Sequence, residues 1–251
     1  MAIPRLRHLC GHLETTPAAE EIKDNAAYCL TTLTLGDMPE AWRKAGFSVS
    51  NDTVVVGDIS IRLTGAGGGL RQIGFSGCSM AHPLQLPGVE TVIAPTRAQQ
   101  VLHPNTTTSL AEVVLYAQRL QEFVTGMRRA GVQTHKRRDP QPIGDHSVAT
   151  FLFPGQKLRL LVFGPNDEAS DPSRNPKMWM MGHGLGHGST ELTGYLPLVR
   201  EHPPPGVVSD CVGPSKEAVQ KGRRIATLPA GTIEGLTGTF AFLSRGEGEL
   251  F

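Results

Sequence analysis

The chain has 251 residues, 39% of them hydrophobic and 19% charged, with Lys+Arg 24 against Asp+Glu 23 and a formal net charge of +1. That is apolar material for one large core or two small ones, too few charges for intrinsic disorder, and none of the basic surplus of a nucleic-acid scaffold. Gly 29 and Pro 19, together about a fifth of the chain, oppose a helical bundle and favour short strands joined by turns.

Residues 1–26 read as a mixed, polar extension, weakly helical from Pro17 to Asp24. Its opening, MAIPRLRHLCGHLETTP, lacks the apolar stretch of a secretory signal, and no run has the length of a membrane-spanning helix. Cys10, Cys29, Cys78 and Cys211 lie far apart without a CxxC pair, which fits reduced, mostly buried thiols. The expectation is a soluble, cytoplasmic protein with no membrane and no nucleic-acid partner.

The first strand is read at Ala27–Leu35, ending at Gly36. Asp37 is the expected N-cap of a helix from Met38 to Ala45, with Pro39 early in it and Gly46 at its stop. Phe47–Val49 is extended. The turns Asn51-Asp52 and Gly57-Asp58 separate strands at Thr53–Val56 and Ile59–Leu63, and Leu70–Phe75 follows the loop Gly67–Gly69. The order is β-α-β-β-β.

It then recurs. Glu112–Ala117 is a strand, and Gln118–Ala130 carries Leu120, Phe123, Val124 and Met127 at helical spacing before Gly131. Val148–Phe153 and Leu158–Phe163 are strands joined at Pro154-Gly155. The two helices even end alike, in AWRKAGFSV and GMRRAGVQT. A fainter third unit runs through Leu192–Val199, Arg224–Leu228 and Thr237–Leu243. The expected division is an extension 1–26, a module 27–78, a connector 79–108, a module 109–165, and a connector with a partial third module over 166–251. The fold class is α+β, built of tandem βαβββ modules with curved sheets around a cleft.

This pattern resembles the vicinal oxygen chelate superfamily of glyoxalases, bleomycin-resistance proteins and extradiol dioxygenases. His103-Pro-Asn-Thr-Thr-Thr108 is similar to the lead-in of a glyoxalase-like branch, and Ala218-Val-Gln-Lys-Gly-Arg-Arg-Ile-Ala-Thr-Leu228 to a segment specific to it. The resemblance covers roughly residues 27 to 244. It implies modules curled around a cleft in which first and last strands supply His and Glu to a divalent metal that grips two substrate oxygens. Here the first strand has no His, Glu112 stands at the second module's His position, and Leu161 and Arg62 stand at the final-strand Glu positions. No cofactor is therefore expected; the alternative is a divalent metal.

Among candidate residues, Glu112 opens an otherwise apolar strand, where apolar walls raise a carboxylate's proton affinity towards general-base use. The bland alternatives are a solvated strand end or pairing with an Arg. His146, after Asp145, stands before a cleft-lining strand, where an imidazole suits an oriented base. His183 and His187 would share a face of a helix, but three glycines disfavour one there, so a loop role outweighs ligation; His187 remains a candidate on the connector over the cleft. His8 and His12 beside Cys10 read as surface residues. His135-Lys-Arg-Arg138 reads as a solvated face, and Lys221-Gly-Arg-Arg224 as a weaker candidate for a carboxylate-bearing ligand. Gly65–Gly69 lacks the Lys-Ser/Thr of a phosphate loop. The expected function is acid–base catalysis (isomerase, lyase or cyclase) on an oxygen-rich small metabolite, through Glu112, His146 and His187, in a chain free to form a homodimer. The alternatives are a non-catalytic sequestering protein and a metal-dependent lyase or dioxygenase.

Overall fold

The computed structural model describes residues 28–67, 69–77, 84–94, 98–135, 140–143, 146–166, 178–187, 216–217, 223–229 and 231–244. The expected extension 1–26, the strand Leu192–Val199, and His8, His12, Asp145, Lys136–Arg138 and Lys221 lie outside them. So do Cys10, Cys78 and Cys211; Cys29 is buried. No helix among the described residues is long and apolar enough to cross a membrane.

In chain order the elements are β1 (Cys29–Leu35), α1 (Pro39–Lys44), β2 (Thr53–Val56), β3 (Ile59–Leu63), β4 (Leu70–Ser76) and β5 (Glu90–Ile93). There follow β6 (Thr107–Ala117), α2 (Leu120–Arg129), β7 (Gln141–Ile143), β8 (His146–Phe153) and β9 (Leu158–Pro165). The last are β10 (Met178–His187), β11 (Lys216–Glu217), β12 (Arg224–Leu228) and β13 (Thr239–Leu243). They form two mixed sheets, one ordered β2-β3-β1-β4-β5 and the other β11-β12-β13-β10-β6-β9-β8-β7.

Strand pairing gives the repeat a sharper form than element order does. In the second sheet β6-β9-β8-β7 and β10-β13-β12-β11 are the same arrangement: the first strand lies parallel to the last, and the others follow antiparallel. The two units meet antiparallel at β6 and β10. The first sheet repeats this in reduced form, with β1-β3-β2 meeting β4-β5 antiparallel at β1 and β4. Cys29–Ser76 therefore runs β-α-β-β-β in order, but β4 lies across β1 from β3 and holds the place that β10 holds in the second sheet.

Local chemistry explains the helix ends. Gly46 N–H donates to Arg43 O and Phe47 N–H to Trp42 O; Gly131 N–H donates to Arg128 O and Val132 N–H to Met127 O. Both are Schellman stops, with glycine at φ +83° and +93°. Asn51 and Asp52, at φ 47° and 55°, form the two-residue hairpin turn expected of them. Asp37 does not cap α1. The N-cap is Met38, without a side-chain bond, because the buried Asp37 carboxylate is engaged elsewhere.

One apolar core joins the sheets, taking Leu33, Ile61 and Ile73 from the first and Val113, Leu160 and Phe240 from the second. Three polar fastenings supplement it. Gln156, in the turn between β8 and β9, accepts from Leu30 N–H at 2.8 Å and donates to Leu30 O at 2.7 Å and Asp58 Oδ1 at 3.1 Å. Asp37 accepts from Trp42 Nε1 at 2.9 Å, from Thr237 N–H at 3.1 Å and from the Thr237 hydroxyl. The His-Pro-Asn stretch is the third: His103 accepts from Ser48 N–H and donates to Val55 O, while Asn105 donates to Ala45 O and accepts from Thr107 N–H. Its two polar side chains hold the connector to the end of α1.

Candidate active site

Alternation along β6 separates two chemistries. Val113, Leu115 and Ala117 enter the main core beside Phe123, Val124 and Met127 of α2. Glu112, Val114 and Tyr116 take the opposite face. There Val114, Val148, Leu161 and Phe163 form a separate apolar cluster, with Tyr116 and Ile143 against it. This face, away from α2, carries the candidate site.

Glu112 stands mid-strand, since β6 begins at Thr107 rather than at Glu112. Its side chain is 15% exposed and accepts a hydrogen bond from Arg159 Nη2, its register partner on the parallel strand β9. On its other side it lies opposite Gly184 of β10, where a Cβ would stand 2.8 Å from Glu112 Cβ. Glycine is needed there because the Glu112 side chain fills the space. Gly182, opposite Val114, is equally constrained: a Cβ would stand 2.7 Å from Thr239 O. One half of the face is thus charged and apolar, and the other presents Gly182, Gly184 and Ala241.

The candidate residues are spread along this face. His146 pairs with Pro165, whereas Glu112 pairs with Arg159, six residues earlier on β9. At about 3.3 Å per residue the separation along the strand is roughly 20 Å. His146 instead meets Tyr116, with ring centroids 5.8 Å apart, and burial raises the Tyr116 pKa above its ordinary value. His187 is not in a loop over the site: it ends β10 opposite Thr107, five residues from Glu112, or about 17 Å along the strand. His183 is also in β10, but buried in the core against Trp42 and Phe240. Of the weaker basic candidate, Arg223 is buried and Arg224 exposed, with Arg224 N–H donating to Ser244 Oγ.

Arg159 and Tyr116 were not singled out from the sequence. The signal for Arg159 is a lone cation at the second position of an apolar strand, but only the β6–β9 register puts it beside Glu112.

The donors do not suit a divalent metal. Around Glu112 the neighbours on this face are Arg159, Leu161, Gly182, Gly184, Thr239 and Ala241, and a guanidinium in contact with the carboxylate competes with any cation. No three His, Cys, Asp or Glu side chains converge among the described residues. Chelation needs several such donors at one point.

Neither a family profile nor a curated protein matches the chain. Solved structures do. A triple-substituted 4-hydroxymandelate synthase from Streptomyces coelicolor superimposes with a TM-score of 0.51 at 11% identity, over 88% of this chain and 94% of that one. A halotolerant catechol dioxygenase gives 0.50 at 11% identity, over 86% of each chain. At such identities the likeness concerns the backbone, and together with the paired sheets it identifies the architecture: this chain has the vicinal oxygen chelate fold.

Proposed function

We propose that the chain is a small-molecule enzyme of acid–base type, with Glu112 as proton acceptor and Arg159 as the fixed cation. The contact between these two side chains, beside the apolar cluster of Val114, Val148, Leu161 and Phe163, carries the reading. A guanidinium beside a carboxylate keeps it ionised and able to accept a proton. A guanidinium beside the base also supplies the positive charge that stabilises an oxygen gaining charge when a neighbouring C–H gives up its proton. The substrate class is an oxygen-rich metabolite with a C–H acid next to a carbonyl.

The proton taken by Glu112 returns to another carbon in an isomerisation, or to a departing oxygen in an elimination. Partial burial of the Glu112 side chain, 15% exposed, strengthens its interaction with the cation relative to water. At roughly 20 Å and 17 Å from Glu112 in opposite directions along the strands, His146 and His187 lie outside the reach of a small ligand held there, and neither has a part in this reading. No step needs a metal. A second reading, a sequestering protein, is favoured by one observation: Glu112 is already engaged by Arg159, as a static pair would be.

Deuterium exchange separates the two. Small aromatic and polyketide-like carbonyl compounds that bind are incubated with the protein in D2O and followed by NMR. The enzyme reading expects the acidic C–H to exchange, about a hundredfold or more slower in Glu112→Gln while affinity holds. Binding without exchange, or equal exchange in the variant, favours sequestration.

A further inference from the structure

His183 is buried to 1% exposure on the core side of β10, and neither ring nitrogen meets a hydrogen-bond partner among the described residues. A buried polar group without a partner costs stability, so such groups are rare. The repeat shows what the position could hold. Glu112 opposite Gly184 and Val113 opposite His183 in the second sheet match Thr32 opposite Gly74 and Leu33 opposite Ile73 in the first. The fold accepts a fully buried isoleucine at this site, and the second sheet has an imidazole.

Its surroundings are aromatic and belong to both sheets. The ring lies 5.6 Å from that of Trp42 on α1 and 4.9 Å from that of Phe240 on β13, and those two are 5.0 Å apart. Along β10 it is flanked by Gly182 and Gly184, the residues that border Glu112 on the other face. Glycine neighbours give this segment little side-chain packing of its own. The imidazole packs against the first sheet's helix through Trp42.

We propose that His183 is an acid-sensitive latch: neutral, it holds the glycine-flanked segment of β10 against Trp42; protonated, it leaves the aromatic box and loosens the strand beside Glu112. This holds whether or not Glu112 moves protons. Among the described residues neither ring nitrogen has an acceptor for an imidazolium proton, and burial lowers the His183 pKa to about 4. The unfolded group titrates near 6.5, so stability present above that pH is lost as pH falls towards 4.

Of the other titratable groups among the described residues, Asp37 and His103 border the box and Glu112 lies behind it. Asp37 reaches it through Trp42. Burial, opposed by bonds from Thr237 and Trp42, raises its pKa, so acid favours the folded state there and the sign is opposite. His103 touches Phe47 at 5.2 Å; burial lowers its pKa, the same sign as for His183. Glu112 lies on the other face, across Gly184 and paired with Arg159.

The test is native-state hydrogen exchange and urea unfolding of the full chain between pH 7.5 and 4.5, in wild type, His183→Ile and His103→Gln. Protection factors at Gly182–Gly186 are expected to fall in acid ahead of those in β1. The folding constant should drop by up to about tenfold per pH unit below pH 6.5 from this one group. His183→Ile should remove both effects and His103→Gln neither. The same acid slope in His183→Ile, its removal by His103→Gln, or protection lost together in all strands would overturn the latch. Should His183→Ile fail to fold, imidazole NMR of the wild type decides: nine imidazoles titrating above pH 5.5 in the folded protein refute it.

Discussion

On β1 the residue opposite Gly74 is Thr32, and on β6 the residue opposite Gly184 is Glu112. Each is followed on its N-terminal side by the same irregularity: Thr31 and Ala111 are extra residues that the partner strand skips. Across the other edge, Thr32 pairs with Ser60 where Glu112 pairs with Arg159. One backbone device, a bulge with a glycine facing it, therefore occurs twice with different chemistry on it. The first sheet's face carries Thr32, Thr34, Ser60, Arg62 and Gln72, with Thr34 donating to Gln72 at 3.3 Å. The second carries an ion pair beside an apolar cluster. Bulge and glycine belong to the fold; Glu112 and Arg159 are specific to one face of it.

The largest effect is expected from erasing that difference. Glu112→Thr gives the second sheet the first sheet's residue and should reduce proton exchange in a bound ligand by at least about a hundredfold, with folding kept. Thr32→Val, on the first sheet's face, should leave it within about twofold. Equal losses in the two variants would show that the faces do not differ in role.

Next is the dependence of one sheet on the other. Asp37→Ala leaves Trp42 Nε1–H and Thr237 N–H without their acceptor in a buried place, costing about 2–3 kcal/mol in urea unfolding. Asp37→Asn, which keeps an acceptor and can donate to the Thr237 hydroxyl, should cost less. Gln156→Ala removes the bonds to Leu30 N–H and O and should cost about 1–2 kcal/mol. A single unfolding transition is expected in all three, because the core is shared. Two transitions in Asp37→Ala would mean that the sheets fold separately.

How much of this was legible depends on where each signal lies. Asn51-Asp52 and the Ala-Gly-Phe and Ala-Gly-Val helix ends carry their conformation locally, so turns, helices and the repeat could be read directly. Strand β10 could not: Gly182, Gly184 and Gly186 at alternate positions argue against a strand, and the reasons for two of them are Thr239 O and the Glu112 side chain, distant in sequence. The short strand β5 falls within the expected connector 79–108, and β7 within the second module where no strand is read, both for want of length. Glu112 was visible as a carboxylate in an apolar run, but its partner Arg159 is 47 residues away, and only the parallel register joins them. The same register sets His146 and His187 far from Glu112, which residue type alone does not convey.

The smallest effect is expected where the same chemistry sits in water. Glu40 and Arg43 on α1 form an ion pair like Glu112 and Arg159, but with side chains 69% and 42% exposed against 15% and 33%. In solvent the attraction is screened, and holding two long side chains together costs entropy, so such i, i+3 pairs contribute about 0.5 kcal/mol or less. Glu40 also stands in the first turn of the helix, where a negative charge is favoured by a few tenths of a kcal/mol. Glu40→Gln should therefore lower stability by no more than about 0.5 kcal/mol in low salt, and by nothing measurable in 1 M salt, where the screening length is about 3 Å. Arg159→Gln leaves the half-buried Glu112 carboxylate without its cation, and its cost should persist in 1 M salt. If salt erased both costs alike, the Glu112–Arg159 contact would be a surface pair, and its role as an oriented base and cation would fall with it.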